Sequence, residues 1–460
     1  MKRKDVHHRQ PLLGLIIITS FINPFLGAAI NIALPAIGEE FMLSAIGLSW
    51  VTMSFILSSA VFLLPFGKLA DIAGRKRVFF IGNILIAITS LLCALSSSGG
   101  MLILMRIFQG IGSSMVFGTG VAIITSAYPP DQRGKAIGWS VTSVYIGLSL
   151  APFLGGILTE YLSWRSIFYF TIPFQILVIL GVRIFIRDEW ADASGEPFDY
   201  TGSLIYILSM SALMFGFSRV PETYAIILSV LGFLGLVAFA LFELKISSPV
   251  FNIRLFKSNR LFAFSNLSAL INYATTFAIS FLLSLFLQSS LGLSPRDAGI
   301  ILVTQPVVMA VVASISGRLS DKYDPRYLAS AGMAVTVAGL SLMAFLNGET
   351  SIRYLITALI IVGIGFGLFS SPNTNAIMGS VEKKFLGVAS ATVGTMRLTG
   401  QMFSMGIATL ILQIFMGEIT LNRESVPLFT ASMRTTFIIF AVLCLLGVFA
   451  SLARGKTPGR

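Results

Sequence analysis

The feature that most constrains this chain is a series of continuous apolar runs, each close to the roughly 20 residues that a helix needs to cross a bilayer. We place fourteen runs, at about 11–35, 46–67, 78–96, 101–127, 134–159, 165–187, 201–218, 223–243, 261–289, 297–317, 327–346, 353–379, 386–416 and 433–453. Continuous runs indicate helices, because the strands of a membrane barrel are shorter and alternate in polarity. The sequence therefore predicts an all-α membrane protein with fourteen spans.

The composition agrees with a membrane protein. Only 11% of the residues are charged and 55% are hydrophobic, whereas a soluble protein carries roughly 25% charged residues. Cys93 and Cys444 both lie in apolar runs, which predicts packing residues rather than a disulfide. We expect no metal and no cofactor. The run from Pro11 to Pro35 lacks a clear cleavage site, so we expect it to be an uncleaved first span.

The basic residues indicate the orientation in the membrane. With a cytoplasmic N-terminus, the outer loops hold six of the 32 lysines and arginines, namely Arg165, Arg219, Arg296, Arg353, Arg423 and Arg434. Arg106 and Arg397 lie within spans, and the other 24 fall on the cytoplasmic side. This bias predicts that both termini are cytoplasmic. It also explains the net charge of +12 without a nucleic-acid partner.

The chain repeats itself at a spacing of about half its length. Gly-Lys-Leu-Ala-Asp at 67–71 recurs as Gly-Arg-Leu-Ser-Asp at 317–321, and Gly147 recurs as Gly400. Two parallel halves around a central cavity are a transporter architecture. We therefore predict a six-helix bundle at 1–187, a linker with two inserted membrane helices at 188–260, and a second six-helix bundle at 261–460.

The loop after the second span reads Gly-Lys-Leu-Ala-Asp-Ile-Ala-Gly-Arg-Lys-Arg at 67–77. It resembles the loop between helices 2 and 3 of the major facilitator superfamily, which implies the major facilitator fold and a cytoplasmic gate. The gate residues would be Gly67, Asp71, Gly74, Arg75, Gly317 and Asp321. A charge-assisted cluster of this kind can form in one state and break in the other. The alternative is a plain basic loop that only sets the topology.

Two more motifs follow in order. Arg106, Gln109 and Gly110 resemble the superfamily's helix 4 motif, while Gly147, Pro152, Gly155 and Gly156 resemble its helix 5 motif, which is associated with antiporters. The segments 31–35, 164–168, 198–202 and 249–256 resemble the fourteen-helix drug:proton antiporter branch, so the resemblance covers nearly the whole chain. The alternative for the glycines is ordinary packing between membrane helices.

One departure from that branch concerns proton coupling. An acidic residue commonly lies in helix 1 of the branch, where this chain has Leu26, and no carboxylate lies near the middle of any span. Charged residues within spans are costly and are therefore functional candidates, which draws attention to Arg106 and Arg397. The candidate cavity residues are Asn23, Asn31, Arg106, Asn272, Tyr273, Asn373, Arg397 and Gln401.

The leading hypothesis is a secondary transporter that exports drug-like amphiphilic compounds by alternating access, with the proton gradient as its energy source. The alternatives are a dedicated exporter of one anionic metabolite or lipid, and a uniporter. A channel would need selectivity rings or pore-lining charge, an intramembrane enzyme would need paired carboxylates or a nucleophile motif, and the gating motifs argue against a receptor without transport. The resemblance implies a non-enzymatic monomer in the plasma membrane, with the bilayer and small amphiphiles as partners.

Overall fold

The computed structural model describes residues 4–186, 188–246, 248–251, 253–320, 322–382, 386–417, 419, 421 and 424–455. The first part of the chain forms α1 (Lys4–Phe41), α2 (Ala45–Ala73), α3 (Arg75–Ala94), α4 (Gly99–Ala127), α5 (Pro130–Tyr161) and α6 (Ser166–Phe185). The middle part forms α7 (Tyr200–Phe217), α8 (Thr223–Glu243) and the short α9 (Arg254–Ser258). The last part forms α10 (Arg260–Thr276), α11 (Ala278–Leu285), a π-helical turn (Phe286–Ser290), α12 (Pro295–Leu302), α13 (Thr304–Leu319), α14 (Pro325–Met343), α15 (Ile352–Gly379), α16 (Leu386–Met416) and α17 (Val426–Ala453).

These helices provide fourteen segments that are long and apolar enough to span a membrane, which confirms the predicted count. Helices α10 and α11 join the π turn in one span, Arg260–Ser290, and α12 joins α13 in another, Pro295–Leu319. Helices suit this environment because each backbone N–H and C=O finds its partner within the segment, where hydrocarbon offers none.

The last span begins earlier than predicted. Helix α17 starts at Val426 rather than near 433, and a proline occupies its first turn, where a missing N–H costs nothing. Arg434 was predicted to lie in an outer loop, and it instead lies in the third turn of this helix, with its side chain exposed.

Each half of the repeat packs its helices in the same way. In the first half α4 packs against α2 and α3, and in the second half α15 packs against α13 and α14. Two glycine contacts also correspond: a Cβ on Gly112 would lie 2.9 Å from the Gly82 carbonyl oxygen, and one on Gly365 would lie 2.7 Å from the Gly332 carbonyl oxygen. Both contacts require glycine, since the backbones approach too closely for any side chain.

Helices α7 and α8 form an inserted hairpin that packs along the seam between the halves. Its α7 contacts α2 from the first half and α16 from the second. The Trp50 and Phe215 rings lie 6.1 Å apart, and a Cβ on Gly406 would lie 2.9 Å from the Met214 sulfur. The hairpin is therefore in contact with both halves at once.

We call the end of the bundle where α1 begins and α17 ends the terminal face, and the opposite end the distal face. Two hydrogen bonds between the halves lie toward the distal face. Ser284 Oγ donates to Asn31 O at 2.6 Å, Gln288 Nε2 donates to Ile32 O at 2.9 Å, and α12 packs on the distal end of α5. The structure is thus closed at the distal face, and the central cavity lies on the terminal side of that closure.

Candidate substrate cavity and gate

The cavity lies between the halves and is walled by α1, α2, α4 and α5 on one side and by α10 to α13, α15 and α16 on the other. Aromatic rings from both halves form much of its wall: Phe55, Phe117, Tyr145, Tyr273, Phe277 and Phe366. The polar side chains that reach it include Asn23, Asn31, Ser59, Ser280, Gln305, Arg397 and Gln401. Such a mainly apolar site with a few polar groups is typical of small-molecule pockets.

Two asparagines bring polarity to the α1 wall, on either side of Pro24. Asn31 Oδ1 accepts a 2.8 Å hydrogen bond from Thr52 Oγ1 and is therefore satisfied. Asn23 Nδ2 donates to Thr19 O at 3.2 Å, but the buried Asn23 Oδ1 has no donor among the described residues. A buried unsatisfied acceptor costs free energy, so Asn23 Oδ1 is available to a bound ligand.

Arg397 supplies the positive charge of the cavity. Its guanidinium lies over the Phe117 ring, 5.1 Å from the centroid, which joins α16 of the second half to α4 of the first. Among the described residues no carboxylate forms an ion pair with it. Gln401 follows one helical turn later and also lines the cavity. The pair can receive an anionic or polar group of a substrate.

Three predicted cavity residues lie elsewhere. Arg106 is fully buried inside the first half, where its Nε donates to Val51 O and its guanidinium lies over the Phe55 ring, 4.3 Å from the centroid. Asn272 is buried next to Tyr273, which does reach the cavity. Asn272 and Tyr273 differ in this way because the side chains of successive residues in a helix point about 100° apart. Asn373 holds a third interior arginine, Arg454, as described below.

The helix 4 motif residues form one network instead. Arg106 donates to Gln109 Oε1 at 2.5 Å, and Gln109 Nε2 donates to Ser90 Oγ at 2.8 Å. Gly110 lies one residue further on, directly against the backbone of Phe55. The motif thus joins α4 to α2 and α3 next to Phe55, whose ring lines the cavity.

Arg454 follows the last predicted span and belongs to the basic residues predicted on the cytoplasmic side, yet its side chain is only 1% exposed. It donates to Ser451 O, to Ser265 Oγ at 3.3 Å and to Asn373 Oδ1 at 2.9 Å, which links α17, α10 and α15 at the terminal face. Burial lowers the pKa of Arg454 to about 10, so the group stays charged at neutral pH. Nothing in the local sequence distinguishes this arginine from its exposed neighbours.

The gate loop is folded around one ion-pair cluster. Asp71 Oδ1 accepts from Arg75 Nε at 2.8 Å and from its terminal nitrogen at 2.7 Å. Arg75 also pairs with Asp192 of the linker at 2.8 Å. Gly74 joins α2 to α3 with a φ of 113°, a conformation that favours glycine. Gly67, another of the predicted gate residues, has open space where its Cβ would be, although the Cβ position of Gly118 lies 3.5 Å from its Cα.

The linker after α6 covers this gate, which the sequence analysis did not anticipate. Glu189 accepts from the backbone N–H groups of Lys76 at 2.8 Å and Arg77 at 3.2 Å, and so caps the start of α3. Arg75 N donates to Trp190 O at 2.8 Å, and Ala193 N donates to Asp71 O at 2.9 Å. The run of acids from Asp188 to Glu196 is the sequence signal that could have indicated this contact.

In the second half, Gly317 makes only ordinary contact, with 3.6 Å from the position of its Cβ to Ser371. Asp321 lies outside the described residues. Neighbouring Ser320 accepts from Asn375 Nδ2 at 2.6 Å.

The helix 5 glycines allow α5 to lie directly on other backbones. A Cβ on Gly147 would overlap Phe21 O, and one on Gly155 would lie 3.0 Å from Ala29 O, so both glycines face α1. Gly156 faces α12 in the other half, with 2.5 Å from its Cβ position to Pro295 O. Pro152 lies within α5 at the same contact and lines the cavity. This segment therefore contributes to the distal closure.

The linker contact at the gate is expected to be pH-dependent. Lys68 Nζ donates to Glu196 Oε2 at 2.6 Å, and this hydrogen bond lowers the pKa of Glu196. A lowered folded-state pKa means that the contact is intact above the ordinary glutamate range and is lost as the pH falls through the lowered value. We expect a bimane label on Ser194→Cys, whose fluorescence Trp190 quenches, to report the loss of the Lys68–Glu196 contact. The loss should occur only at pH values below the ordinary glutamate pKa range.

The native Cys93 and Cys444 are buried, so labelling of residue 194 should be selective. In the Lys68→Gln variant the midpoint should move upward toward the ordinary glutamate pKa, whereas Lys135→Gln, which removes an exposed charge in the first turns of α5, should leave it unchanged. Equal midpoints in wild type and Lys68→Gln would contradict the assignment.

Comparison with known proteins agrees with the architecture. The family model of the Major Facilitator Superfamily matches residues 16–258 and 266–460. The riboflavin transporter RibZ of Clostridioides difficile is 31% identical over 445 residues, which is 96% of this chain and 96% of that protein. Multidrug resistance protein 3 of Bacillus subtilis is 28% identical over 394 residues, covering 82% and 76%.

Two solved structures share the fold at low identity. A bacterial homolog of the human lysosomal transporter Spinster, in an inward-facing and unoccupied conformation, has a TM-score of 0.66 at 19% identity, covering 99% of this chain and 98% of that one. The D-xylose-proton symporter has a TM-score of 0.69 at 14% identity, covering 98% and 99%. With the fourteen spans and the matched family model, these findings identify the chain as a member of the Major Facilitator Superfamily.

Proposed function

We propose that this transporter exports amphiphilic aromatic compounds by alternating access around the central cavity. The observation that carries the proposal is the lining, in which rings from both halves surround a few polar groups. Two of those groups, Asn23 Oδ1 and Ser280 Oγ, are buried and have no partner among the described residues. Rings offer contact area that tolerates varied shapes, and spare polar groups can orient a ligand.

The relatives support a small-molecule substrate. One is named as a riboflavin transporter and another as a multidrug resistance protein. Met309 adds an adaptable side chain to the wall, because methionine repacks readily around ligands of different shape. Several amphiphilic compounds would therefore bind to the same cavity.

We further propose the orientation and the energy source. The terminal face would be cytoplasmic, in accordance with the positive-inside rule, and the protein would act as a monomer in the plasma membrane without a cofactor. The proton gradient would drive export. The described residues that line the cavity include no Asp or Glu, so the coupling proton would bind elsewhere in the chain.

A second candidate is a dedicated carrier of one anionic compound, and Arg397 is the observation that favours it. The side chain offers a positive charge to the cavity without a carboxylate partner among the described residues. Arginine suits carboxylate and phosphate groups because its donors match two oxygens at once. Uniport of such a compound would need no proton at all.

Proteoliposomes that contain a pH-sensitive dye would distinguish these candidates. A pH gradient is imposed, and cationic, neutral and anionic amphiphiles are added in turn, with protein-free liposomes as the control. We expect several chemically different compounds to evoke proton movement. Uptake of a single anionic compound without proton movement would overturn the proposed multidrug export and support the dedicated carrier or uniporter.

A further inference from the structure

Two carboxyl groups meet at the terminal end of the inserted hairpin, far from the cavity. Asp199 precedes α7 and caps it, because its Oδ1 accepts from Gly202 N at 2.8 Å. Glu243 is the last residue of α8. Helix pairing brings these two chain positions together across the base of the hairpin, although they are far apart in sequence.

Glu243 is buried to an unusual degree for an acid, with 1% of its surface exposed. Its Oε2 accepts a long hydrogen bond, 3.3 Å, from Phe251 N, and the N–H of Val250 also reaches the carboxyl group. Its Oε1 and the buried Oδ2 of Asp199 have no donor among the described residues. Charged groups are rarely buried without a donor or counter-ion, because desolvation costs several kcal/mol.

The two unsatisfied oxygens lie close to one common point. Both lie against the same side of Gly202, where an added Cβ would overlap Asp199 Oδ2 and lie only 2.7 Å from Glu243 Oε1. The two carboxyl groups are within hydrogen-bonding reach. Two ionised carboxylates are both acceptors and repel, so a hydrogen bond between them requires that one of them carries a proton.

No positively charged side chain among the described residues takes the place of that proton. Among the described residues no lysine or arginine forms an ion pair with either carboxyl. Lys245 extends into solvent, and the Arg254 guanidinium donates to the carbonyls of Leu244 and Ile246. Toward the α2 side, the Lys68 ammonium is bound by Glu196. On the side of α7 that faces α16, Tyr206 is an uncharged residue and adds no positive charge near the pair.

A metal ion fits this site less well than a proton does. Hard cations need about six or more oxygen ligands, whereas the described backbone groups that approach the pair are N–H donors, from Gly202, Val250 and Phe251. No group of three or more metal-ligating side chains occurs in the part of the chain that the structure describes. One hydrogen would satisfy both acceptor oxygens.

We propose that Asp199 and Glu243 form a proton-binding carboxyl pair at the base of the inserted hairpin, and that the pair shares one proton in this distal-closed conformation. The inference deepens the proposed function, since it supplies a titrating group to a chain in which the described residues that line the cavity include no acid. The linkers from both halves converge here: Asp199 ends the first linker, and Phe251 belongs to the second. Loss of the proton would charge both acids and push the base of the hairpin apart.

Infrared difference spectroscopy on the purified full chain in nanodiscs tests the pair without any substrate. We expect a carbonyl band of a protonated, hydrogen-bonded carboxylic acid at neutral pH, which disappears at alkaline pH and shifts in D2O. Glu243→Gln should lose this band, equivalent to one protonated carboxyl per chain. Glu222→Gln, at the other end of the same hairpin, should retain it.

Asp199→Asn is the second variant, because it keeps an oxygen for the Gly202 cap and can donate to an ionised Glu243; it should also lose the band. A band that persists in both variants, or no band in the wild type at neutral pH, would overturn the proposal. Transport is measured separately, so a wild-type band without substrate-evoked proton movement would overturn the proposed proton coupling and leave the carboxyl pair intact.

Discussion

Replacing Arg397 with alanine is expected to reduce the uptake of anionic amphiphiles by about tenfold or more and that of neutral ones much less. The guanidinium lies over Phe117 at the cavity, with no carboxylate partner among the described residues. A hydrogen bond to a charged group contributes about 1.5–3 kcal/mol, and about 1.4 kcal/mol corresponds to a factor of ten. Initial rates in proteoliposomes, at matched protein density, measure the effect.

Arg434→Ala provides the matched control, because Arg434 is an exposed arginine in the same half that does not line the cavity. Arg397→Lys should restore part of the anion uptake, since it keeps the charge but loses the two-oxygen geometry. Equal losses for anionic and neutral compounds would contradict the prediction and indicate that Arg397 acts on the structure of the cavity rather than on the substrate's charge.

Gly110→Ala is expected to destabilise the first half by about 1–3 kcal/mol, the usual cost of inserting a methyl group into a well-packed core. The Cβ would overlap the carbonyl oxygen of Phe55 and the hydroxyl of Ser58, so α2 and α4 would have to separate. Because Phe55 contacts the Arg106 guanidinium and also lines the cavity, the shift should disturb both. The fraction of monodisperse protein that survives heating, followed by fluorescence-detected size exclusion, measures the loss.

Gly100→Ala in the same helix is the control, because nothing lies within 4 Å of its Cβ position. Alanine favours a helix by roughly 0.5–1 kcal/mol over glycine, so this variant should be unchanged or slightly more stable. If Gly110→Ala survives heating as well as Gly100→Ala does, the close approach of α2 and α4 does not limit stability.

The fold and the number of spans could be predicted from the sequence because lipid leaves a helix few alternatives. The repeat of the gate sequence indicated two similar halves, and glycine contacts at Gly112 and Gly365 reproduce that repeat in three dimensions. Helix ends were predicted less well, as the early start of α17 at Val426 illustrates. In a sequence a proline indicates the end of a helix, although it is tolerated in the first turn of one.

The candidate site was predicted only in part. Asn23, Asn31, Tyr273, Arg397 and Gln401 reach the cavity. Arg106, Asn272 and Asn373 do not, because polarity within a span indicates burial against protein but not which neighbour is contacted. Asn31 illustrates the limit: the sequence shows a polar residue, and the structure shows its oxygen already bound to Thr52.

The sequence by itself determined that this chain is a fourteen-span helical transporter of two related halves, since composition, apolar length and repeated motifs are properties of the chain alone. Only the tertiary structure decided which groups the charged side chains contact. Arg454 is buried, Glu189 caps α3, and Glu243 faces Asp199. These are contacts between distant segments, and they depend on the rotation of each helix and on the path of each linker, which local sequence patterns do not encode.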